Sequence, residues 1–323
     1  MRAFSRFHRH LGNDSLSAGG TTAVIFALAA GTVAAMAKTA AAVLTGSASM
    51  LAAAMHSWVD TAAECFLIAA YFAARRPADE KHRLGYGRDS YVWTLFASIV
   101  MVIVGAEVGV WRGITQLSAP DTTTDYRFGY VVIAISFVLE GASFIQATRF
   151  VRRRAAERHV GIFAHVLATS DSQLRAVFTE DLIALVGLGV AALGMALHQI
   201  TGNVRFDAAG SILIGLLMGL AGVLLINLNR QFLAGAPLSA EQRAMGIRLL
   251  KDTPEIERVT LLFAEFIGPD RILLAAHVSL AGDHTQAELA RTLRSLEQRI
   301  MTHKNVGQAV LTLAAPEEEE IDS

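Results

Sequence analysis

The sequence predicts an α-helical polytopic membrane domain of six transmembrane helices followed by a small α+β domain. Three observations predict it. The 323 residues are 53% hydrophobic and 18% charged, with a mean hydropathy of +0.42, too apolar for an ordinary soluble protein. Six apolar stretches are each long enough to cross about 30 Å of hydrocarbon at about 1.5 Å per residue. Beyond residue 231 these give way to short helix and strand patterns.

Residues 1–19 form a charged N-terminal segment carrying Arg2, Arg6, His8, Arg9 and His10. A full-length apolar stretch follows without a small-residue cleavage site, so it reads as a mature span and not a signal peptide. The spans of the membrane domain, residues 20–231, are placed at 20–43, 50–75, 90–117, 126–150, 176–200 and 206–229. Short loops rich in Lys and Arg stay on the cytoplasmic side. The second connection holds Arg75, Arg76, Lys81, Arg83 and Arg88, and the fourth holds Arg149, Arg152, Arg153, Arg154, Arg158 and Arg175, whereas the other connections are nearly bare. Both termini are therefore expected in the cytoplasm.

Residues 232–316 read as a cytoplasmic αββαβ domain, ferredoxin-like in that order. Ser239–Lys251 has helical spacing with a suitable start. Val259–Ile267 and Arg271–Leu280 read as strands joined at Gly268-Pro269-Asp270. Thr285–His303 is a second amphipathic helix with a Thr285–Glu288 capping box, and Val306–Ala314 is the third strand. From residue 232 onward there are nine Lys and Arg against fourteen Asp and Glu, of which Glu317 to Glu320 supply four. That acidic run, in residues 317–323, reads as a solvated, disordered tail.

Chemistry concentrates in span two. His56-Ser57-Trp58-Val59-Asp60 puts an imidazole and a carboxylate one helical turn apart inside an apolar run. Burying ionisable groups in lipid costs about 2.5–3.5 kcal/mol each, so such a pair usually has a partner. At i and i+4 the two project from one helical face and offer two ligands to a divalent metal. Imidazole and carboxylate suit tetrahedral Zn²⁺. The single cysteine, Cys65, excludes an intramolecular disulfide and reads as an inert packing thiol. A net charge of −1 gives no sign of nucleic-acid binding. No nucleotide-binding glycine loop or nucleophile with a base supports an enzyme.

Several stretches together resemble the cation diffusion facilitator family of divalent metal transporters: Leu44 to Leu51 running into His56–Asp60, Pro77 to Arg88, and Asp207 to Gly215, within six spans and an αββαβ tail. The resemblance covers about residues 20 to 315. It implies a homodimer that exchanges a divalent transition metal, most often zinc, for protons by alternating access, the lipid bilayer and the metal being its partners. No prosthetic group is implied, since the metal is cargo.

In the family two further ligands come from span five. Against that motif Asp181, with Gly187 six residues later, fits the aspartate, and Val177 stands where the upstream ligand would sit. Valine cannot bind metal. Glu180 can fill the vacancy, although it leaves the helix about 100° away from Asp181; the stripe Ala176, Glu180, Ala184, Gly187, Ala191 is otherwise small and marks a close helix contact. Glu64, one turn beyond Asp60, is the alternative. Glu180 has two other readings, a vestibule carboxylate or a salt bridge to Lys38, while Lys38 itself is expected to snorkel to the interface. Glu107 and Glu140 are either inter-helix polar contacts or proton-path groups.

Elsewhere, Asp79 and His82 match a loop metal site of some family members, but Tyr86 replaces the second histidine. His277 resembles a tail-domain ligand position, yet Val310-Leu311-Thr312-Leu313 offers no donor, so packing or a dimer contact is expected. His198, His284 and His303 are isolated and read as surface or interface residues. Metal loading requires neutral imidazole and ionised carboxylates, so it releases protons, and an ordinary imidazole titrates near pH 6.5. The function expected is export of zinc for protons. Selectivity for Mn²⁺, Fe²⁺ or Co²⁺ at an oxygen-rich site, or a non-transporting membrane metal sensor or scaffold, are the alternatives. The lack of a targeting segment and of His-rich loops points to a bacterial inner membrane.

Overall fold

The computed structural model describes residues 18–74, 76–118, 125–157 and 160–321, with side chains from residue 28 onward. The charged N-terminal segment apart from residues 18 and 19, Arg75, Arg158 and the last two tail residues lie outside them. The described residues form two compact units, one up to Ala70 with Trp93–Asn229, the other Tyr71–Val92 with the residues from Arg230 on.

The helices of the first unit are α1 (Ala18–Thr45), α2 (Ala48–Ala74), α3 (Asp89–Leu117), α4 (Arg127–Glu157), α5 (Ile162–Ala168), α6 (Ser172–Thr201) and α7 (Arg205–Leu233), some of them running on past its limits. Five are long and apolar enough to cross a membrane: α1 from Leu28, α3, α4, α6 and α7. The sixth expected span, α2, has 27 residues but is not among them. His56, Asp60 and Glu64 dilute its hydropathy. The seven-residue α5 was not foreseen.

Large apolar side chains such as Val43, Trp111, Val138, Leu193 and Leu220 point outward, while Ala41, Ala52, Ala53, Met50, Ala191 and Met218 fill the interior. Small residues inside let helices approach closely. The extreme case is α3 against α7, where a Cβ on Gly109 would lie 2.8 Å from the Gly215 Cα. A π-helical turn, Met101–Ala106, precedes this contact, and Ser211 Oγ donates to the Gly109 carbonyl at 2.7 Å. Cys65 is exposed on α2, which corrects the expectation of a packed thiol. Arg175, counted as a loop charge, is fully buried, its Nη1 donating to the Thr169 carbonyl and its Nη2 to Asn229 Oδ1.

Asp207, in the first turn of α7, explains its place in the sequence motif. It is wholly buried and accepts from Ser47 Oγ (2.7 Å), Ala48 N (2.6 Å), Ser49 N (3.4 Å), Ser49 Oγ and Gln116 Nε2 (3.2 Å). It therefore satisfies the free N–H groups at the start of α2 from a different helix. Ser47 Oγ accepts from Met50 N at 3.0 Å and caps the same end.

In the second unit α8 (Ala240–Lys251), β1 (Ile256–Gly268), β2 (Arg271–Leu280), α9 (Gln286–Ile300) and β3 (Val306–Leu313) follow in order. β1 pairs antiparallel with the central β2, which pairs parallel with β3. Both helices start with complete capping boxes, Ser239 with Gln242 and Thr285 with Glu288. Ile247, Leu250, Leu296 and Ile300 pack with Val259, Leu262, Leu274 and Val278. Phe263, Ala275 and Val310 lie side by side across the strands, with Phe263 and Val310 exposed.

The acidic run differs from the solvated tail expected. Ile321 N donates to the Val259 carbonyl at 2.9 Å, Arg258 Nη1 to the Glu318 carbonyl at 3.0 Å, and Thr260 Oγ1 to the Glu318 carboxylate. Lys251 pairs with Glu320 at 2.6 Å, and Ile321 packs against the core. Four acidic residues in sequence carry no sign of these basic and hydroxyl partners, which lie far away along the chain.

Candidate metal centre

α2 carries His56 on its buried side, 3% exposed, and Asp60 one turn on, with a side chain 29% exposed. His56 Nε2 and Asp60 Oδ2 are 3.4 Å apart. Neither His56 ring nitrogen, nor Asp60 Oδ1, nor Glu64 Oε2 has a hydrogen-bond partner among the described residues. Buried polar atoms without partners are costly. A cation is the partner that would satisfy an imidazole and carboxylates together.

α6 faces this segment with its stripe of small residues. Asp171 caps its start by accepting from Leu174 N at 3.0 Å. Ala176, Glu180, Ala184, Gly187 and Ala191 are all buried, as the small-residue pattern requires. Glu180 is 8% exposed. Asp181, one residue on, turns towards α4 and accepts from Ser143 Oγ at 2.9 Å. Asp60 lies within Coulombic range of Glu180, Glu140, Lys38 and Asp181, and Glu180 within range of Asp181 and Glu64. Val177 brings no donor. Among the described residues no three His, Cys, Asp or Glu side chains are already gathered around one point. Beside His56 a narrow void, lined also by Lys38, Ala53, Ala184, Gly187, Leu188 and Ile214, has no room for a water molecule.

Lys38 corrects an expectation. It does not snorkel: it is 1% exposed, and Nζ donates to Ser57 Oγ at 2.6 Å and Glu140 Oε1 at 2.5 Å. Its ion-pair partner is thus Glu140 and not Glu180. The sequence held a signal for this. Lys38 sits in register with Ala35, Ala41, Ala42 and Thr45, the buried stripe of α1. Glu107, by contrast, lies on the exposed face of α3.

The other positions resolve individually. Tyr86 Oη donates to Asp79 Oδ2 at 2.6 Å, and the Lys81 and His82 amides donate to Oδ1. The Tyr86 hydroxyl, followed by the His82 amide, holds the Asp79 carboxyl below its ordinary value. Tyrosine thus satisfies the carboxylate where a second histidine would bring a ligand. His277 Nδ1 stands 3.3 Å from Glu318 Oε2, a contact within its own unit. His198 is buried against Tyr126 Oη at 2.6 Å, correcting its reading as a surface or interface residue. His284 is exposed and meets the Ala281 carbonyl.

Residues 24–233 match the family model described as the cation efflux transmembrane domain. The chain is similar to metal tolerance protein C4 of Arabidopsis thaliana, 29% identical over 246 residues, covering 76% of this chain and 54% of that protein. It is similar to the mitochondrial proton-coupled zinc antiporter SLC30A9 of Homo sapiens, 28% identical over 240 residues, covering 74% of this chain and 42% of that protein. Zinc transporter ZitB of Escherichia coli strain K12 is 26% identical over 274 residues, 84% of this chain and 80% of that protein. The chain therefore spans about half the length of the plant and human relatives it matches.

Proposed function

The chain belongs to the cation efflux family, and from that premise we propose that it exports a divalent transition-metal cation, zinc first, from the cytoplasm in exchange for protons. The observation that carries the proposal is His56: buried, one turn from Asp60, whose Oδ2 stands 3.4 Å from Nε2, and with neither ring nitrogen in a hydrogen bond among the described residues. His56 and Asp60 are the primary ligands. Asp181 and Glu180 complete the shell from α6, and Glu64 is the reserve. Gathering these donors requires a movement of α6 relative to α2, and Ala184 and Gly187, which line the void beside His56, put little bulk in its way. The names of the SLC30A9 and ZitB relatives support zinc, and the SLC30A9 name supports the proton.

The chemistry of exchange follows from the donors. Metal binds imidazole only where a proton has left, and carboxylates only when ionised, so loading expels protons and reprotonation expels metal. The void beside His56 has no room for a water molecule, which supports a path closed at that point. In the proposed topology α2 is the sixth span, both termini are cytoplasmic, and residues 232–316 form a ferredoxin-like cytoplasmic domain. The exposed Phe263–Val310 sheet face supports a homodimer. A bacterial inner membrane is proposed because a relative matched over most of both chains is a transporter of Escherichia coli.

Purified protein in sealed vesicles containing a pH-sensitive dye tests the proposal. Zinc added to one side should drive protons to the other, and Asp60→Ala should abolish flux while eluting as the wild type does. Flux without proton movement, or flux retained in Asp60→Ala, contradicts it. A second reading, a metal sensor or scaffold without transport, is favoured by Val177; it predicts zinc binding with no net flux.

A further inference from the structure

We propose that Lys38 sets how tightly the metal centre holds its cation, by standing as a fixed positive charge beside it and by keeping Glu140 out of the ligand shell. The proposal rests on metal loading at His56 and Asp60.

Four observations carry it. The Lys38 ammonium is 1% exposed and cannot reach an interface. It joins Ser57, the neighbour of His56, to Glu140 on α4. The second Glu140 oxygen is buried and has no hydrogen-bond partner among the described residues. Lys38 and His56 line the same dry void, and Asp60 is in Coulombic range of both Lys38 and Glu140.

A buried ion pair is a weak source of stability, because burying both charges offsets most of their attraction, and an apolar pair of similar volume often serves as well. Retention of this pair next to the centre therefore calls for another reason. Asp60, Glu64, Glu140, Glu180 and Asp181 bring up to five negative charges into one region of low dielectric. A dication meeting that charge unopposed would bind firmly and leave slowly, which is fatal to turnover. One resident ammonium removes a unit of attraction and ties up one carboxylate. Because the metal is doubly charged, it feels Lys38 twice as strongly as a proton does. Lys38 therefore shifts the exchange towards release.

Zinc titrations by calorimetry and vesicle flux on the full chain test this with opposite signs. Lys38→Met should tighten zinc binding at least tenfold while lowering both KM and kcat, since release becomes slow. Glu140→Gln leaves the ammonium unneutralised and should weaken binding at least tenfold. The double variant should return to within about threefold of wild type. A merely structural pair predicts that both single variants weaken binding, and that result overturns the proposal. If Lys38→Met does not fold, Lys38→Gln, which still donates to Ser57 and Glu140, and Glu140→Gln carry the same signs. Asp60→Ala separates the two levels: wild-type zinc binding there overturns the metal centre and Lys38 with it. Lost binding there, with Lys38→Gln unchanged from wild type, overturns the role of Lys38 alone.

Discussion

Replacing Asp207 by Ala removes one carboxylate that five donors share, and the expected loss can be worked from the structure. Hydrogen bonds to a charged group contribute about 1.5–3 kcal/mol each, so five taken separately give an implausible total. They are not independent, because Ser47 Oγ, Ser49 Oγ and the two amides converge on the same two oxygens. Two costs survive that correction: loss of the helix cap, about 0.5–2 kcal/mol, and buried donors left unsatisfied, about 1–3 kcal/mol. Together they give about 1.5–5 kcal/mol, the upper end of which matches breaking a buried charged interaction. At about 2–4 °C per kcal/mol for a domain of this size, the midpoint falls by roughly 10 °C. Thermal melting in detergent, read by loss of the monodisperse peak, measures it. Asp207→Asn, which keeps one acceptor oxygen, should lose about half as much. A midpoint for Asp207→Ala within about 2 °C of wild type would refute the view that this carboxylate anchors the start of α2.

Three further outcomes are expected. Gly109→Ala should cost about 1–3 kcal/mol by overpacking, since its Cβ meets the Gly215 backbone at 2.8 Å, whereas Gly141→Ala, with Leu185 Cδ2 at 3.9 Å, should melt as wild type does. The Thr260 hydroxyl, aided by His277, holds Glu318 below its ordinary 4.5, so attachment of the tail is complete above pH 4.5 and is lost as pH falls through the lower folded value; protection of the Ile321 amide against exchange, taken relative to the intrinsic rate at each pH, should be present at neutral pH and lost in acid, and pH-independent protection would contradict this. Competition transport with Glu180→Ala and Asp181→Ala run separately should show a loss of zinc preference over Mn²⁺ in each variant, and wild-type selectivity in both would remove α6 from the shell.

What could be read from the sequence was what is local in it. Hydrophobic runs placed the long helices, and the capping residues Ser239 and Thr285 fixed two helix starts because a cap is a contact within four residues. The approach of His56 to Asp60 was legible because i and i+4 share a face. Partners on other elements were not legible: Lys38 with Glu140 is 102 residues apart, and Asp207 with Ser47 is 160 apart. The π turn of α3 escaped because Met101–Ala106 has ordinary helical composition and is shaped by packing against α7. Tail docking escaped because Glu318 looks like any solvated acid until Thr260 and Arg258 are brought beside it.

X-ray absorption at the zinc edge of the purified, zinc-loaded protein tests the central claim most directly. The proposed centre predicts nitrogen and oxygen ligands near 2.0–2.1 Å, with an imidazole signature that disappears in His56→Ala. A sulfur shell near 2.3 Å, or a spectrum unchanged by His56→Ala, would contradict it.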